Sequence, residues 1–248
     1  PLFPTTTLFR SMLTAMSGRD RRDWNQGEGS LAPLEDPGIP IKGSRIGYWT
    51  VPPAGKVDPE VAALVDSKMK QLEAAGAVIE PFELPAKDLL ETFHLHWFSG
   101  AAARLAPYGA AEREQIDPGL VEIAEKGAAY DAKTLVAAQV QRAEFGARMD
   151  MALAEHDFIL SPAVTVPAFG AGLEVPAGSG LQRWTEWASF SFPINLTQQP
   201  AGVVPGGKTR AGLPVGLQVI GARGQDAKLL SLMDAIEAMA GGTQVMDP

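Results

Sequence analysis

Ser44-Arg-Ile-Gly-Tyr-Trp49, then Asp58-Pro-Glu-Val61, then Ala77-Val-Ile-Glu-Pro-Phe-Glu-Leu84 decide the fold of this chain. The outer two are short, rich in β-branched and aromatic residues and bounded by turn formers, which is the pattern of strands. Between them Asp58 supplies an N-cap and Pro59 a first-turn proline with its φ already helical. Val61, Val65, Met69 and Leu72 then recur at helical spacing, and Gly76 stands where a C-cap glycine belongs. A strand, a helix and a strand joined by a crossover of this length form a βαβ unit with parallel strands. The class is therefore α/β.

Working outward, Thr7 is placed to cap a helix over 8–16 that Gly18 ends, and residues 17–43 read as an irregular connector. Downstream, 89–105 reads as a helix rich in aromatics and alanine. Asp131 caps a long helix whose apolar stripe is Val136, Val140, Ala143, Ala147 and Met151. Phe158-Ile-Leu-Ser161 is a short buried strand stopped by Pro162, followed by a Gly/Pro-rich loop to Gly180. An aromatic segment (Trp184, Trp187, Phe190, Phe192) leads to strands over 201–204 and 216–220. A last helix starts at Asp226 with Leu229, Met233, Ile236 and Ala240 inward. No repeat and no long linker divides the chain, so residues 1–248 read as a single α/β layered unit.

Composition removes several functions. The 21 basic residues against 29 acidic give a net charge of −8, which excludes nucleic acid and anionic membrane as expected partners. No apolar run has the length of a membrane span. The chain has no cysteine, so disulfides, thiolate zinc sites and a Cys nucleophile are absent, and a reducing cytoplasm fits. Pro1-Leu-Phe-Pro-Thr-Thr-Thr7 lacks the basic and apolar regions of a signal peptide.

A second stretch is more specific. Asn195-Leu-Thr-Gln-Gln-Pro-Ala-Gly-Val-Val-Pro205 is closed by Gly212-Leu-Pro-Val-Gly-Leu-Gln-Val-Ile-Gly221, with Asp226 and Glu237 beyond. This block resembles the C-terminal signature of the amidase-signature family, hydrolases of carboxamide C–N bonds. Gln198 stands where glycine is commonest in that family. The resemblance extends to Lys42-Gly-Ser-Arg-Ile-Gly47, to 57–61, to 72–79, to Asp157-Phe-Ile-Leu-Ser-Pro162 and to 8–23. It is with the C-terminal portion of the family only, and implies a layered mixed sheet flanked by helices, incomplete relative to the family. Within the block, Pro200 and Pro214 fix φ beside strands, so it reads as scaffold rather than chemistry.

In the resembled family, catalysis rests on a Ser–Ser–Lys triad. A neutral Lys acts through a second Ser, held in a cis peptide, on the nucleophile. Such a site needs a Gly/Ser-rich loop whose amides crowd the oxyanion, and no Gly-Gly-Ser-Ser-Gly-Gly-like run exists here. The nearest serines are Ser179, between Gly178 and Gly180, and Ser189 and Ser191, beside aromatics; no lysine is near them in sequence. No catalytic residue is assigned. His94 and His96 lie two apart and diverge on a helix, His156 is distant, and neither metal nor cofactor is expected. Glu112, Glu114 and Asp117 read as a solvated acidic helix end. Trp97, Trp187 and Phe190 are the substrate-binding candidates, since aromatics suit an apolar acyl or aryl group. Core packing in a large domain is the equal alternative for them.

The expected function is thus that of the C-terminal part of an amidase-like hydrolase, inactive as this chain alone. Its ligand in the intact enzyme is a small-molecule amide, and its partner is a missing N-terminal part or a second copy. Two alternatives stand beside it: a stand-alone non-catalytic ligand-binding or subunit protein derived from an amidase, and an amidotransferase-type subunit.

Overall fold

The computed structural model describes residues 5–23, 25–26 and 35–239. Helix α1 (Thr5–Met16) comes first, so Thr7 lies inside it rather than at its cap. The described part of the 17–43 connector holds turns and bends but no helix or strand. Strand β1 (Arg45–Trp49), helix α2 (Pro59–Ala74) and strand β2 (Val78–Phe82) follow as expected, with β1 and β2 parallel. The Asp58 carboxylate accepts from the Glu60 and Val61 amides, and Val61, Val65, Met69 and Leu72 are buried. Gly76 takes a positive φ of 96°, and its carbonyl accepts from Gly43, which ties the connector to the end of α2.

Next come α3 (Leu89–Leu105), α4 (Ala110–Arg113), α5 (Pro118–Ala128) and α6 (Ala132–Glu155). The acidic run is not one solvated end, because Asp117 caps α5 by accepting from Leu120 N. Strand β3 (Phe158–Pro162) is buried throughout. Beyond it lie α7 (Trp184–Trp187), α8 (Phe192–Thr197), β4 (Ala201–Lys208), β5 (Pro214–Ile220) and α9 (Asp226–Met239). The last two strands are longer than the sequence suggests, and their pairing passes Pro205 through a bulge between Pro205 and Gly207. In α9, Leu229, Met233 and Ile236 are buried as expected, and Ala240 lies outside the described residues.

The described strands make one mixed sheet in the order β2-β1-β3-β5-β4. β2, β1 and β3 are parallel; β5 runs antiparallel to both β3 and β4. One face packs on α2 and α9 through Ile46, Val65, Leu160, Leu217 and Leu232. The other packs on α3, α6 and α8 through Trp49, Phe93, Phe145, Phe190 and Ile220. A small satellite core joins α3 to α5.

One expectation is reversed. In α6 the buried residues are Ala138, Phe145, Met149 and Leu153. Val136, Val140, Ala143, Ala147 and Met151 all face outward, Met151 being 71% exposed. Both sets recur at helical spacing, and the set carrying Phe145, Met149 and Leu153 buries more apolar area, so it takes the sheet side.

Candidate functional site

Topology singles out one position in the sheet. From β1 the chain crosses to β2 on one side through α2, and returns to β3 on the other side through the α3–α6 helices. The two crossovers lie on opposite faces, which makes the carboxyl ends of β1 and β3 a topological switch point. That switch point is where open α/β sheets place ligands.

Segment 187–190 lies beside this switch point and is held by buried polar groups. Thr165, just beyond β3, donates its amide and its hydroxyl to the Trp187 carbonyl at 2.9 and 3.0 Å. The Thr165 carbonyl accepts from Asp58 N at 2.7 Å, which links the segment to the start of α2. Ser189 Oγ donates to the Ala54 carbonyl, beyond β1, at 2.8 Å. From β5, Gln218 Nε2 donates to Ser161 Oγ on β3 and to the Phe190 carbonyl, both at 3.1 Å. Thr165, Ser161, Ser189 and Gln218 are all buried, so each bond satisfies a group that water cannot reach. In the sequence Gln218 and Ser161 stand out only as family landmarks, and their part in this clamp is not visible there. The one available signal is a polar residue inside a strand otherwise wholly apolar.

The three aromatic candidates fall in different settings. Phe190 is fully buried, edge-on to Trp49 with centroids 4.8 Å apart. Trp97, on α3, is 45% exposed; it stacks on Phe93 and meets Trp184 edge-on at 5.9 Å. Trp187 is partly buried, packs edge-on to Phe169 at 5.6 Å and donates Nε1–H to the Glu174 carbonyl at 2.8 Å. Helix α7 connects the latter two, since Trp184 and Trp187 lie on it. The result is an aromatic surface running from α3 across α7 to the clamped 187–190 segment. A separate 680 Å³ cleft between α3 and α6 is lined by polar and charged groups such as Lys87, Glu91, Gln141 and Arg148, and by none of the three aromatics.

Each candidate serine is engaged in a hydrogen bond within the chain. Ser189 Oγ donates to Ala54 O, Ser191 Oγ donates to Ala188 O, and Ser179 Oγ accepts from Leu181 N. The histidines diverge. His94 Nε2 lies 3.1 Å from Thr185 Oγ1, and its ring stacks on Phe98. Burial, reinforced by the Arg183 and Lys126 cations, holds the His94 pKa below its ordinary value. His96 Nε2 is buried without a hydrogen-bond partner among the described residues. His156 meets the Ala152 carbonyl and Glu80. Among the described residues no group of three His, Asp or Glu is placed to hold a metal ion, and no helix is long and apolar enough to cross a membrane.

Known proteins resemble this chain in sequence and in fold. Residues 9–230 match the family described as Amidase. A glutamyl-tRNA(Gln) amidotransferase subunit of Azorhizobium caulinodans is 29% identical over 95% of this chain and 53% of its own length. The corresponding amidotransferase subunit of Ruegeria pomeroyi is 31% identical over 93% of this chain and 52% of its own. The structure of 6-aminohexanoate cyclic dimer hydrolase superposes with a TM-score of 0.79 at 20% identity, covering 98% of this chain and 55% of that one. A bacterial aryl acylamidase of the amidase-signature enzymes superposes with a TM-score of 0.76 at 21% identity, covering 92% of this chain and 51% of that one. The chain thus spans about half the length of the relatives it matches.

Proposed function

The chain belongs to the amidase family, and from that premise we propose that it is the C-terminal part of an amidase-like hydrolase acting on carboxamide C–N bonds. In this reading the Ser–Ser–Lys chemistry resides in sequence outside these 248 residues. There an acyl-enzyme would form with loss of ammonia or an amine, and water would then release the acid. This chain supplies the outer sheet and one wall of the acyl pocket, in the cytoplasm. The observation that carries the reading is the buried polar clamp at the β1/β3 switch point, which fixes segment 187–190 and its aromatic neighbours at the position where open α/β sheets place ligands. Trp97 and Trp187 face the apolar part of the amide substrate, and Phe190 backs the wall from within the core.

The test is kinetic. In the intact enzyme, Trp187→Ala and Trp97→Ala raise KM for aryl and long acyl amides while kcat changes less, because uniform binding is what they supply. Equal kinetics for all three proteins would remove the wall. Amide hydrolysis by the 248-residue chain alone, on a panel of aliphatic and aryl amides, would overturn the claim that the triad lies elsewhere.

The names of the curated relatives favour a second reading, an amidotransferase-type subunit that generates ammonia for a partner. Glutamine hydrolysis that rises on adding a partner protein, with no activity on aryl amides, would select it.

A further inference from the structure

We propose that Glu174 is a positioning residue for the aromatic surface: it latches the strap 166–181 onto α7, fixes the indole of Trp187, and so tunes the site to amides that carry a flat aryl group. The proposal rests on the amidase reading and adds to it the residue that sets this selectivity.

The strap is an irregular run, rich in glycine and proline, between Thr165, clamped to the Trp187 carbonyl, and the entry to α7. Its Gly172, Gly178 and Gly180 take φ of 81°, 73° and 74°, and a Cβ built on any of them would meet nothing within 4 Å. The run is thus thinly packed on both sides of Glu174, which is the single charged residue between Asp157 and Arg183. In a stretch with so few packing contacts, a charge-assisted anchor decides where the backbone rests.

Glu174 holds both tryptophans of α7. Its Oε1 accepts from the Trp184 amide at 3.2 Å and from Arg183 Nε at 3.1 Å. Its carbonyl accepts from Trp187 Nε1 at 2.8 Å. Among the described residues, the hydrogen bonds from 166–181 to α7 and its cap all run through Glu174. Phe169, also on the strap, meets the Trp187 ring edge-on, so the strap grips the indole at a ring and at a carbonyl.

Arg183 completes the latch. Its Nη1 lies 3.2 Å from Glu122 on α5, and its amide donates to Glu186 Oε2 at 3.0 Å. The guanidinium therefore bridges carboxylates from two distant segments, with the Arg183 side chain only 24% exposed. A network of this kind holds its members more firmly than a lone surface pair does. Without the Glu174 carboxylate the strap is free to leave α7, and the indole loses both its acceptor and its neighbouring ring. A planar aryl group binds by stacking on an aromatic face, so its binding then carries the cost of ordering a loose indole. A short aliphatic amide offers no flat face and feels little of this.

Indole exchange and kinetics, both measured in the intact enzyme, test the latch. The Trp187 Nε1–H is followed by NMR on isotope-labelled tryptophan and assigned by its loss in Trp187→Phe. Glu174→Ala speeds exchange of that proton by about tenfold or more, since its bond no longer needs an opening step. The same variant raises KM for aryl amides about three- to tenfold, while kcat and the KM for short aliphatic amides change less. Glu174→Gln, which keeps a neutral acceptor for Trp184 and Arg183, falls between, and it stands in should the alanine variant not fold. Glu174→Ala and Arg183→Ala together raise KM no further than the larger single change, because they cut one latch. Unchanged indole exchange in Glu174→Ala overturns the proposal. A fall in kcat for every amide, with the ratio of aryl to aliphatic KM unmoved, also overturns it, in favour of a role in stability alone. A KM for aryl amides that rises in Trp187→Ala but not in Glu174→Ala overturns the latch and leaves the amidase reading standing. If the intact enzyme hydrolyses no amide, the functional reading fails, and indole exchange alone decides whether Glu174 holds Trp187.

Discussion

At position 198 the chain holds a glutamine at φ 64°, ψ 22°, in the left-handed region. The residue caps the end of α8 with its amide bonded to the Ile194 carbonyl, a geometry in which a Cβ is crowded and glycine is at ease. This is the physical content of the one departure from the family pattern visible in the sequence. Gln198→Gly should stabilise the fold by about 0.5–1 kcal/mol, the relief of strain exceeding the added freedom of the unfolded chain. In a thermal melt that is a rise of roughly 2–4 °C for a protein of this size, and an unchanged or lower Tm would refute it. His94 gives a pH prediction. Its folded pKa lies below its unfolded value, so the unfolded chain binds the proton more readily. Stability from this group is therefore full above the unfolded pKa and is lost as pH falls through it toward the folded value. His94→Gln keeps a partner for Thr185 without titrating, and should lose less stability than the parent between neutral pH and about pH 5 in denaturant titrations; parallel losses would exclude the effect. Trp97, Trp187 and Phe190 stand out in the sequence as proposed substrate-binding residues, whereas the clamp beside them does not. Ser161, Thr165 and Ser189 look ordinary in a row, because what sets them apart is the group each meets from a distant segment.

Elements were legible where their caps and stripes agreed. Asp58-Pro59 and Asp131 announced α2 and α6, and both carboxylates cap as expected. Asp117-Pro118 carries the same message for α5, but the acidic residues around it suggested a solvated surface instead. The side of α6 that faces the sheet was not legible, because two apolar stripes share one helix and only tertiary packing chooses between them. The crossing of α3 and α5 was equally hidden. It depends on Gly127, where a Cβ would fall onto the carbonyl oxygen of Phe98. Gly127→Ala should push the helices apart and cost about 1–3 kcal/mol or more, despite alanine's better helix propensity. The control is Gly146→Ala in α6, where the added methyl meets nothing and should be neutral or slightly stabilising. If the two variants unfold at the same denaturant concentration, the close approach is not what holds α5. Asp58→Ala should cost about 1 kcal/mol through loss of the cap.

For the molecule as a whole, β3 joins every layer. It is buried along its length, pairs with β1 on one side and β5 on the other, and touches both helical layers through Leu160 and Ile159. Ile159→Ala should therefore cost about 2–4 kcal/mol, and the chain should still unfold in one transition by fluorescence and circular dichroism. Separate transitions would mean the two layers melt independently. The placement of this strand also governs the order of events at the ribosome. The β1–α2–β2 unit leaves the exit tunnel before β3, and the strand that must lie beside β1 follows only after the helices α3–α6; Arg45 and Asp157, bonded across that junction, are 112 residues apart. Until they arrive, the inner edge of β1 stands open in a nascent chain that cannot close its sheet. High contact order of this kind slows folding and leaves that edge to a chaperone's care.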